Sequence, residues 1–201
     1  QKKHVETKET DSVQDKNVAD MFNSQLPQIK GAMFHVETRA AGENSAPVTI
    51  IQSEYMRRMK ELSRIESGMQ FYGQMPDEYT IILNSDHRLI KEIREDGDKA
   101  TAEKLKPVDA DIKGLEARRA VLSQEQEKKK ADELTDEDRK QMKDCEEQIG
   151  KRREERKGIL AEYAKDNKTL HQLVDLALLQ NNMLRGEALS KFISRSIDMI
   201  K

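Results

Sequence analysis

The sequence has few of the residues and segments that disulfide-linked, metal-binding or membrane proteins need. Its 201 residues include 1 cysteine, 4 prolines and no tryptophan. Because Cys145 has no second cysteine to pair with, an intramolecular disulfide and a cysteine-based zinc site are both excluded. A run of about eighteen apolar residues is absent, so no transmembrane helix is expected. The first residues contain neither an initiator Met nor an apolar segment, which argues against a signal peptide and predicts a piece of a longer protein.

The charge balance excludes a strongly basic or acidic protein. With 36 basic and 38 acidic residues the net charge is −2, so overall electrostatics do not favour nucleic-acid binding, although a local basic patch remains possible. Hydrophobic residues make up 35% and charged residues 37% of the chain, against roughly 45–50% and about 25% in ordinary globular domains. Part of the chain is therefore expected to be an extended helical element or a solvated tail.

The common catalytic and nucleotide-binding motifs are also missing. The sequence contains no GxGxxG, no GxxxxGK[ST] and no HExxH. The histidines His4, His35, His87 and His171 lack the spacing of metal ligands. His87 follows Asp86 where a helix is predicted to begin, which favours a capping or surface histidine over a catalytic one. Cys145 occupies an apolar helical position and is interpreted as a small buried hydrophobe. We therefore predict no catalytic, cofactor or metal site in this chain.

The first half of the chain alternates helical and strand patterns. Residues 1–16 are polar and are predicted to be a linker or the end of a preceding domain, and residues 17–201 form the domain proper. A helix is expected from Asn17, with Asp15 or Asn17 as its cap, followed by strands around Phe34 and in "PVTIIQS". Ser53 is expected to cap a second helix, Tyr79–Leu83 to form a third strand, and another helix to start at Asn84 or Ser85. The order predicts an α+β fold in which helices cover a small three-stranded sheet.

The middle of the chain is rich in charges of both signs. Between residues 116 and 157 the sequence has 13 acidic and 13 basic residues. Apolar residues recur with alternating spacings of three and four positions, as in a coiled coil. The stronger seam, which two arginines interrupt, consists of Met142, Cys145, Ile149, Arg152, Arg156, Ile159 and Tyr163. Thr135, followed by three acidic residues, is a helix start signal. Residues 97–165 are therefore predicted to be a long, charged antiparallel helical hairpin, inserted into the domain and standing off its globular part.

The last forty residues carry the widest apolar surface. Two amphipathic helices are predicted, separated by Gly186, with apolar faces formed by Leu170, Leu173, Val174, Ala177, Leu178, Met183 or Leu184, and by Leu189, Phe192, Ile193, Ile197 and Ile200. Leu176 and Leu179 widen the first face. A single chain cannot readily cover so wide a stripe, so these helices are expected to pair with those of a second copy in a dimeric four-helix bundle.

The segment "EYMRRMKELSRIESGMQFYG", residues 54–73, predicts a short cationic helix followed by further apolar residues. One side of the helix carries Tyr55, Met56, Met59, Leu62 and Ile65, and Met69, Phe71 and Tyr72 follow Gly68. These side chains either pack on the chain's own sheet or contact another protein. Binding to a membrane surface or to nucleic acid is less favoured. Methionine is flexible and polarisable, which suits a surface that binds many sequences.

Three stretches resemble a known family. They are "APVTIIQSEYMRRMKEL", "FYGQMPDEYTIILNSDHRLI" and "LVDLALLQNNMLRGEALSKFISRSIDMI". In order and spacing they are similar to the C-terminal domain of bacterial members of the ninety-kilodalton heat-shock chaperone family. The family's Leu-Asn-Pro-Asp-His pattern is present as Leu83–His87, with Ser85 in place of proline. The resemblance covers about residues 17–96 and 166–201.

The resemblance implies a homodimer joined by the last two helices and a cytoplasmic location. It also implies that ATP and magnesium bind a separate N-terminal domain of the parent protein, and that non-native client proteins contact the helix of residues 54–73. The client-contact residues would be Tyr55, Met56, Met59, Met69, Phe71 and Tyr72. Nucleic acid and membrane are not expected as partners. Two alternatives stay open: a coiled-coil scaffold or adaptor acting through the charged hairpin, and an independent enzyme, which would need a cleft that the sequence does not indicate.

Overall fold

The computed structural model describes residues 2–66, 68, 70–129 and 133–200, with side chains from Val13 onward. Its elements in chain order are α1 (Lys2–Ser24), β1 (Ala32–Arg39), β2 (Val48–Gln52), α2 (Glu54–Ser63), α3 (Gln70–Gln74), β3 (Asp77–Asn84), α4 (Arg88–Glu127), α5 (Asp136–Lys165), α6 (Lys168–Gln180) and α7 (Gly186–Ile200). The predicted α+β class is confirmed.

The three strands form one mixed sheet in the order β1-β3-β2, in which β3 is parallel to β1 and antiparallel to β2. Ile81 in the central strand lies opposite both Val36 and Ile50, and all three are buried. Because side chains alternate between the two faces of a strand, these residues define the face that carries the core. The neighbouring residues Met33 and Ile51 point to the other face and are exposed.

Helix α1 is longer than the sequence predicts. It begins at Lys2 rather than near Asn17, and Asn17 is buried instead of capping a helix. The Asn17 side chain donates to Asp98 Oδ1 (3.1 Å) and accepts a hydrogen bond from Arg156 (2.6 Å). These long-range contacts use the polar groups that a capping asparagine would direct to its own helix. The domain boundary at residues 16 and 17 stays a prediction.

Helix α4 runs without interruption through residue 97, where the inserted hairpin was predicted to begin. It spans 40 residues and contains Pro107. Gly97, near the predicted boundary, lies in close contact with Met21 of α1 and continues the helix. Leu105 and Leu160, both inside the predicted insertion, belong to the main hydrophobic core. The inner part of the range 97–165 is therefore built into the globular domain rather than standing off it.

Helices α4 and α5 lie antiparallel. Asp109 contacts Arg156 at 2.7 Å, and further out the Cys145 thiol lies 3.3 Å from the carbonyl of Leu115. Cys145 is buried, as its apolar spacing predicts. Thr135 caps α5 and forms a reciprocal capping box with Asp138. Lys129 and the Thr135 groups that hydrogen-bond to Asp138 hold the pKa of that carboxyl at about 2.

The Asn-Ser-Asp-His residues that carry the family pattern close the end of β3. Asn84 is buried and ties down the turn after β1, while Asp86 accepts from the Gly42 amide at 2.8 Å. His87 caps α4, because its ring Nδ1 accepts from the Leu89 amide at 3.1 Å. The predicted capping role of His87 is confirmed, although α4 begins at Arg88 rather than at Asn84 or Ser85.

Candidate protein-interaction surfaces

Helix α2 begins where the sequence predicts, but it does not cover the sheet. The Ser53 hydroxyl accepts from the Met56 amide at 3.4 Å and caps the helix. The helix then packs against α3 and reaches only the start of β3. Ser63 is its one buried residue among those described. Most of its apolar side chains are therefore left at or near solvent.

The close approach of α3 to α2 depends on Gly73. A Cβ atom at this position would lie 2.9 Å from the Ser63 hydroxyl oxygen. That hydroxyl donates to the carbonyl of Lys60 at 2.6 Å and so stays inside the helix–helix contact. The contact places Phe71 and Tyr72 beside α2, where their rings meet edge to face at 6.1 Å.

The basic residues of α2 are largely neutralised by neighbouring carboxylates. Arg57 bridges Glu54 and Glu61 at 2.9 and 2.8 Å, and Arg58 also pairs with Glu54 at 3.0 Å. Lys60 reaches Asp77 at the start of β3. The two arginines hold the pKa of the Glu54 carboxyl at about 2. With its cations already paired, α2 presents apolar side chains rather than a free positive face.

Exposed apolar side chains on α2 and α3 form what we call the α2–α3 surface. Tyr55 is 62% and Phe71 is 71% exposed, as predicted. Met56, Met59 and Tyr72 are half-buried, and Met69 lies outside the described residues. Leu62 and Ile65, which the helical spacing assigns to the same side as Tyr55 and Met59, are 37% and 82% exposed. Ile65 follows the end of α2 and extends this surface.

The C-terminal helices bury more of their apolar surface in their own chain than predicted. Six of the eleven residues expected at a dimer interface are core residues here: Leu170, Leu173, Val174, Ala177, Leu178 and Leu184. Helix α6 packs this face against β2 and α4. A second copy cannot reach these side chains without opening the domain, so they are corrected to core positions.

A second apolar patch remains on the outside of these two helices. Leu189 and Phe192 are partly buried against the core. The exposed residues, which we call the α6–α7 surface, are Leu176, Leu179, Ile193, Ile197, Met199 and Ile200. Arg195 fixes α7 on α6 by contacting Asp175 and by donating to Gln172 at 2.8 Å. Sequence reasoning missed Met199, although it lies seven residues after Phe192 and therefore on the same side of α7.

The described residues do not bring together a cluster of side chains typical of a catalytic or metal site. No group of three or more His, Cys, Asp or Glu side chains among them could hold a metal ion. Across the same residues, no helix is long and apolar enough to cross a membrane. The features that stand out are the two apolar surfaces, on a chain that is 37% charged.

A small mixed sheet with helices packed on one face and apolar side chains exposed on the helices defines an α+β domain. The chain is 45% identical over 179 residues to the chaperone protein HtpG of Bacteroides fragilis. It is 43% identical over 183 residues to HtpG of Bacteroides thetaiotaomicron, and 34% identical over 176 residues to HtpG of Porphyromonas gingivalis.

These matches cover 89%, 91% and 88% of this chain, but only 26%, 27% and 26% of the relatives. The chain thus spans about a quarter of the length of the HtpG chaperones it matches, which fits a C-terminal domain. The resemblance inferred from the sequence is confirmed, and the alignment extends over the helical range 97–165 as well. No family model and no solved structure matches the chain.

Proposed function

We propose that this chain is the dimerisation and client-contact domain of an HtpG-type molecular chaperone. The observation that carries the proposal is the exposure of large apolar side chains on two separate surfaces of a highly charged domain. Exposed apolar clusters on soluble domains usually mark interaction sites. Two such surfaces supply one contact with a second copy and one with a non-native protein.

The α6–α7 surface is assigned to the second copy. Ile193 and Ile197 are spaced by one helical turn on α7 and are 50% and 51% exposed. Pairing this surface with its own symmetry mate would complete a four-helix arrangement in which each chain contributes α6 and α7. A permanent dimer keeps the two arms of the parent protein together, so that their other ends meet at high effective concentration.

The α2–α3 surface is assigned to client proteins. Tyr55, Phe71 and Ile65 provide exposed apolar area, and Met56 and Met59 provide adaptable side chains beside it. The pairing of Arg57, Arg58 and Lys60 with carboxylates argues against a nucleic-acid or membrane role. Binding of ATP and magnesium is assigned to the rest of the parent protein, and this chain would contribute no catalytic step.

The client assignment is tested with the double variant Tyr55→Ser and Phe71→Ser. Both side chains are exposed, so the fold should be kept while binding to a reduced, alkylated model protein weakens. The control Val13→Ser removes an exposed apolar side chain from α1 and should leave binding unchanged. Equal binding by the double variant and the original chain, measured by fluorescence anisotropy, would contradict the assignment.

A coiled-coil scaffold acting through α4 and α5 remains the alternative. The two helices can be shortened at Gly114 and Gly150, which lie opposite each other, by exchanging residues 115–149 for a short glycine-rich turn. Leu105 and Leu160 stay in place, so the core is preserved. The scaffold reading predicts that the shortened chain loses its interactions, whereas the chaperone reading predicts that dimerisation and client binding persist.

A further inference from the structure

Helix α4 separates its charges by side. Three carboxylates in the middle of the helix lie on the side of α5, where each pairs with an arginine: Asp109 with Arg156 at 2.7 Å, Asp111 with Arg152 at 3.1 Å and Glu116 with Arg153 at 2.7 Å. These three negative charges are thus neutralised by arginines of α5. What is left on the other side of α4 is dominated by lysine.

The lysines on the outer side repeat every seven residues. Lys99, Lys106 and Lys113 are exposed, and within the described part of the chain none of them makes an ion pair. Since an α-helix rises 1.5 Å per residue, successive lysines stand about 10.5 Å apart along one line. Glu95 and Glu103, one turn before and one turn after Lys99, lie on the same side and offset two of the three positive charges. The line keeps a positive excess although the whole chain carries a net charge of −2.

Small apolar residues run along the same line toward the end of the helix. Ala110 and Ala117 are exposed and seven residues apart, and Val121 follows one turn later with 54% of its surface exposed. We call Lys99, Lys106, Ala110, Lys113, Ala117 and Val121 the α4 ridge. Short side chains let another helix approach closely, and the seven-residue repeat matches the geometry of a coiled-coil seam flanked by charges.

We propose that the α4 ridge binds an acidic amphipathic helix. Such a partner would place small or branched apolar residues against Ala110, Ala117 and Val121, and glutamates repeating every seven residues opposite the lysines. Nucleic acid fits less well, because a duplex carries a charge about every 1.7 Å and the ridge offers widely spaced cations interrupted by Glu103. The inference concerns a separate surface and stands or falls independently of the chaperone proposal.

The test titrates a fluorescent four-heptad peptide, with alanine and leucine along its seam and glutamate beside it, into the full chain. We expect saturable binding that added salt weakens and that raises the helix content of the peptide, measured by circular dichroism. The triple variant Lys99→Glu, Lys106→Glu and Lys113→Glu should weaken binding at least about tenfold. Val121→Asp, which places a carboxylate on the seam, should also weaken it.

A matched control makes the same change of charge on α5, with Lys140→Glu, Lys143→Glu and Lys151→Glu. Its affinity for the peptide should stay within about twofold of the original. The proposal is overturned if both triple variants lose affinity equally, or if a scrambled peptide of the same composition binds as tightly. It is also overturned if the peptide fails to bind, including the case in which single-stranded RNA or vesicles of anionic lipid bind in its place.

Discussion

The side chain of Asn84 holds the turn after β1 by bonding to the backbone around Gly42. Its Nδ2 donates to the Gly42 carbonyl at 2.8 Å, and its Oδ1 accepts from the amide of Ala41 at 3.1 Å. Asn84 is only 2% exposed. An asparagine is suited to this position because it presents one donor and one acceptor to two neighbouring backbone groups. The residue that marks the family pattern thus has a structural role.

Asn84→Ala should lower the free energy of unfolding by about 1–3 kcal/mol, because it removes the hydrogen bonds by which a buried side chain holds the turn around Gly42. Chemical denaturation followed by circular dichroism measures the change. The control Asn23→Ala alters an exposed asparagine of α1 and should have a much smaller effect. Similar losses in both variants would show that the turn does not depend on Asn84.

Substitution by alanine should change the stability of the domain in opposite directions at Gly97 and Gly114, which both lie in α4. A Cβ at Gly97 would lie 2.5 Å from Met21 Cε and 3.1 Å from Tyr163 Cε1, whereas nothing lies within 4 Å at Gly114. Gly97→Ala should destabilise the domain by about 1–3 kcal/mol through overpacking. Gly114→Ala should stabilise it by about 0.5–1 kcal/mol through helix propensity. Thermal unfolding of both variants checks the signs, and a gain at Gly97 would contradict the observed packing.

Asp98 should make the stability of the domain depend on pH. Burial raises the pKa of this carboxyl, although Asn17, Arg94 and Arg156 act in the other direction. A raised pKa in the folded state gives stability that is fully present below the unfolded pKa and is lost as the pH rises through the folded value. Asp98→Asn keeps an acceptor for Asn17 and cannot ionise.

The melting temperature of Asp98→Asn relative to the original chain should therefore be higher at pH 7 than at pH 3.5. Asp96→Asn removes an exposed carboxylate from the same helix and controls for the change in net charge. If the Asp98→Asn difference is the same at both pH values, Asp98 does not titrate differently in the folded and unfolded states.

Local signals in the sequence predicted local structure well. Ser53 and Thr135 cap the helices expected of them, because a cap depends on side chains within three residues. The strand predicted at Tyr79–Leu83 likewise lies within β3. The packing of α4 into the domain at Gly97 involves instead Met21, which comes from a distant part of the chain. No local pattern contains that information.

The sequence predicts that apolar surfaces exist on these helices, but not which of their residues are exposed. Periodicity shows that Leu173 and Ile193 both lie on apolar faces, but it does not show what covers each face. The structure buries Leu173 against the chain's own core and leaves Ile193 exposed. The pairing of Arg57 with Glu54 and Glu61 was readable from spacing, whereas that of Lys60 with Asp77 required the position of β3.

The proposed dimer can be tested on the exposed residues of the α6–α7 surface alone. Ile193→Asp together with Ile197→Asp places two carboxylates on the α6–α7 surface without touching the core residues Leu173 and Leu178. Light scattering across a concentration series should give a mass near twice 23.2 kDa for the original chain and near 23.2 kDa for the variant. The double variant Tyr55→Ser and Phe71→Ser should remain dimeric. The double variant Ile193→Asp and Ile197→Asp should still bind an unfolded model protein, but more weakly if one client contacts both chains of the dimer. A dimer that survives both aspartates would assign the contact to another surface, because an interface cannot bury two unpaired carboxylates at its centre without a large loss of affinity.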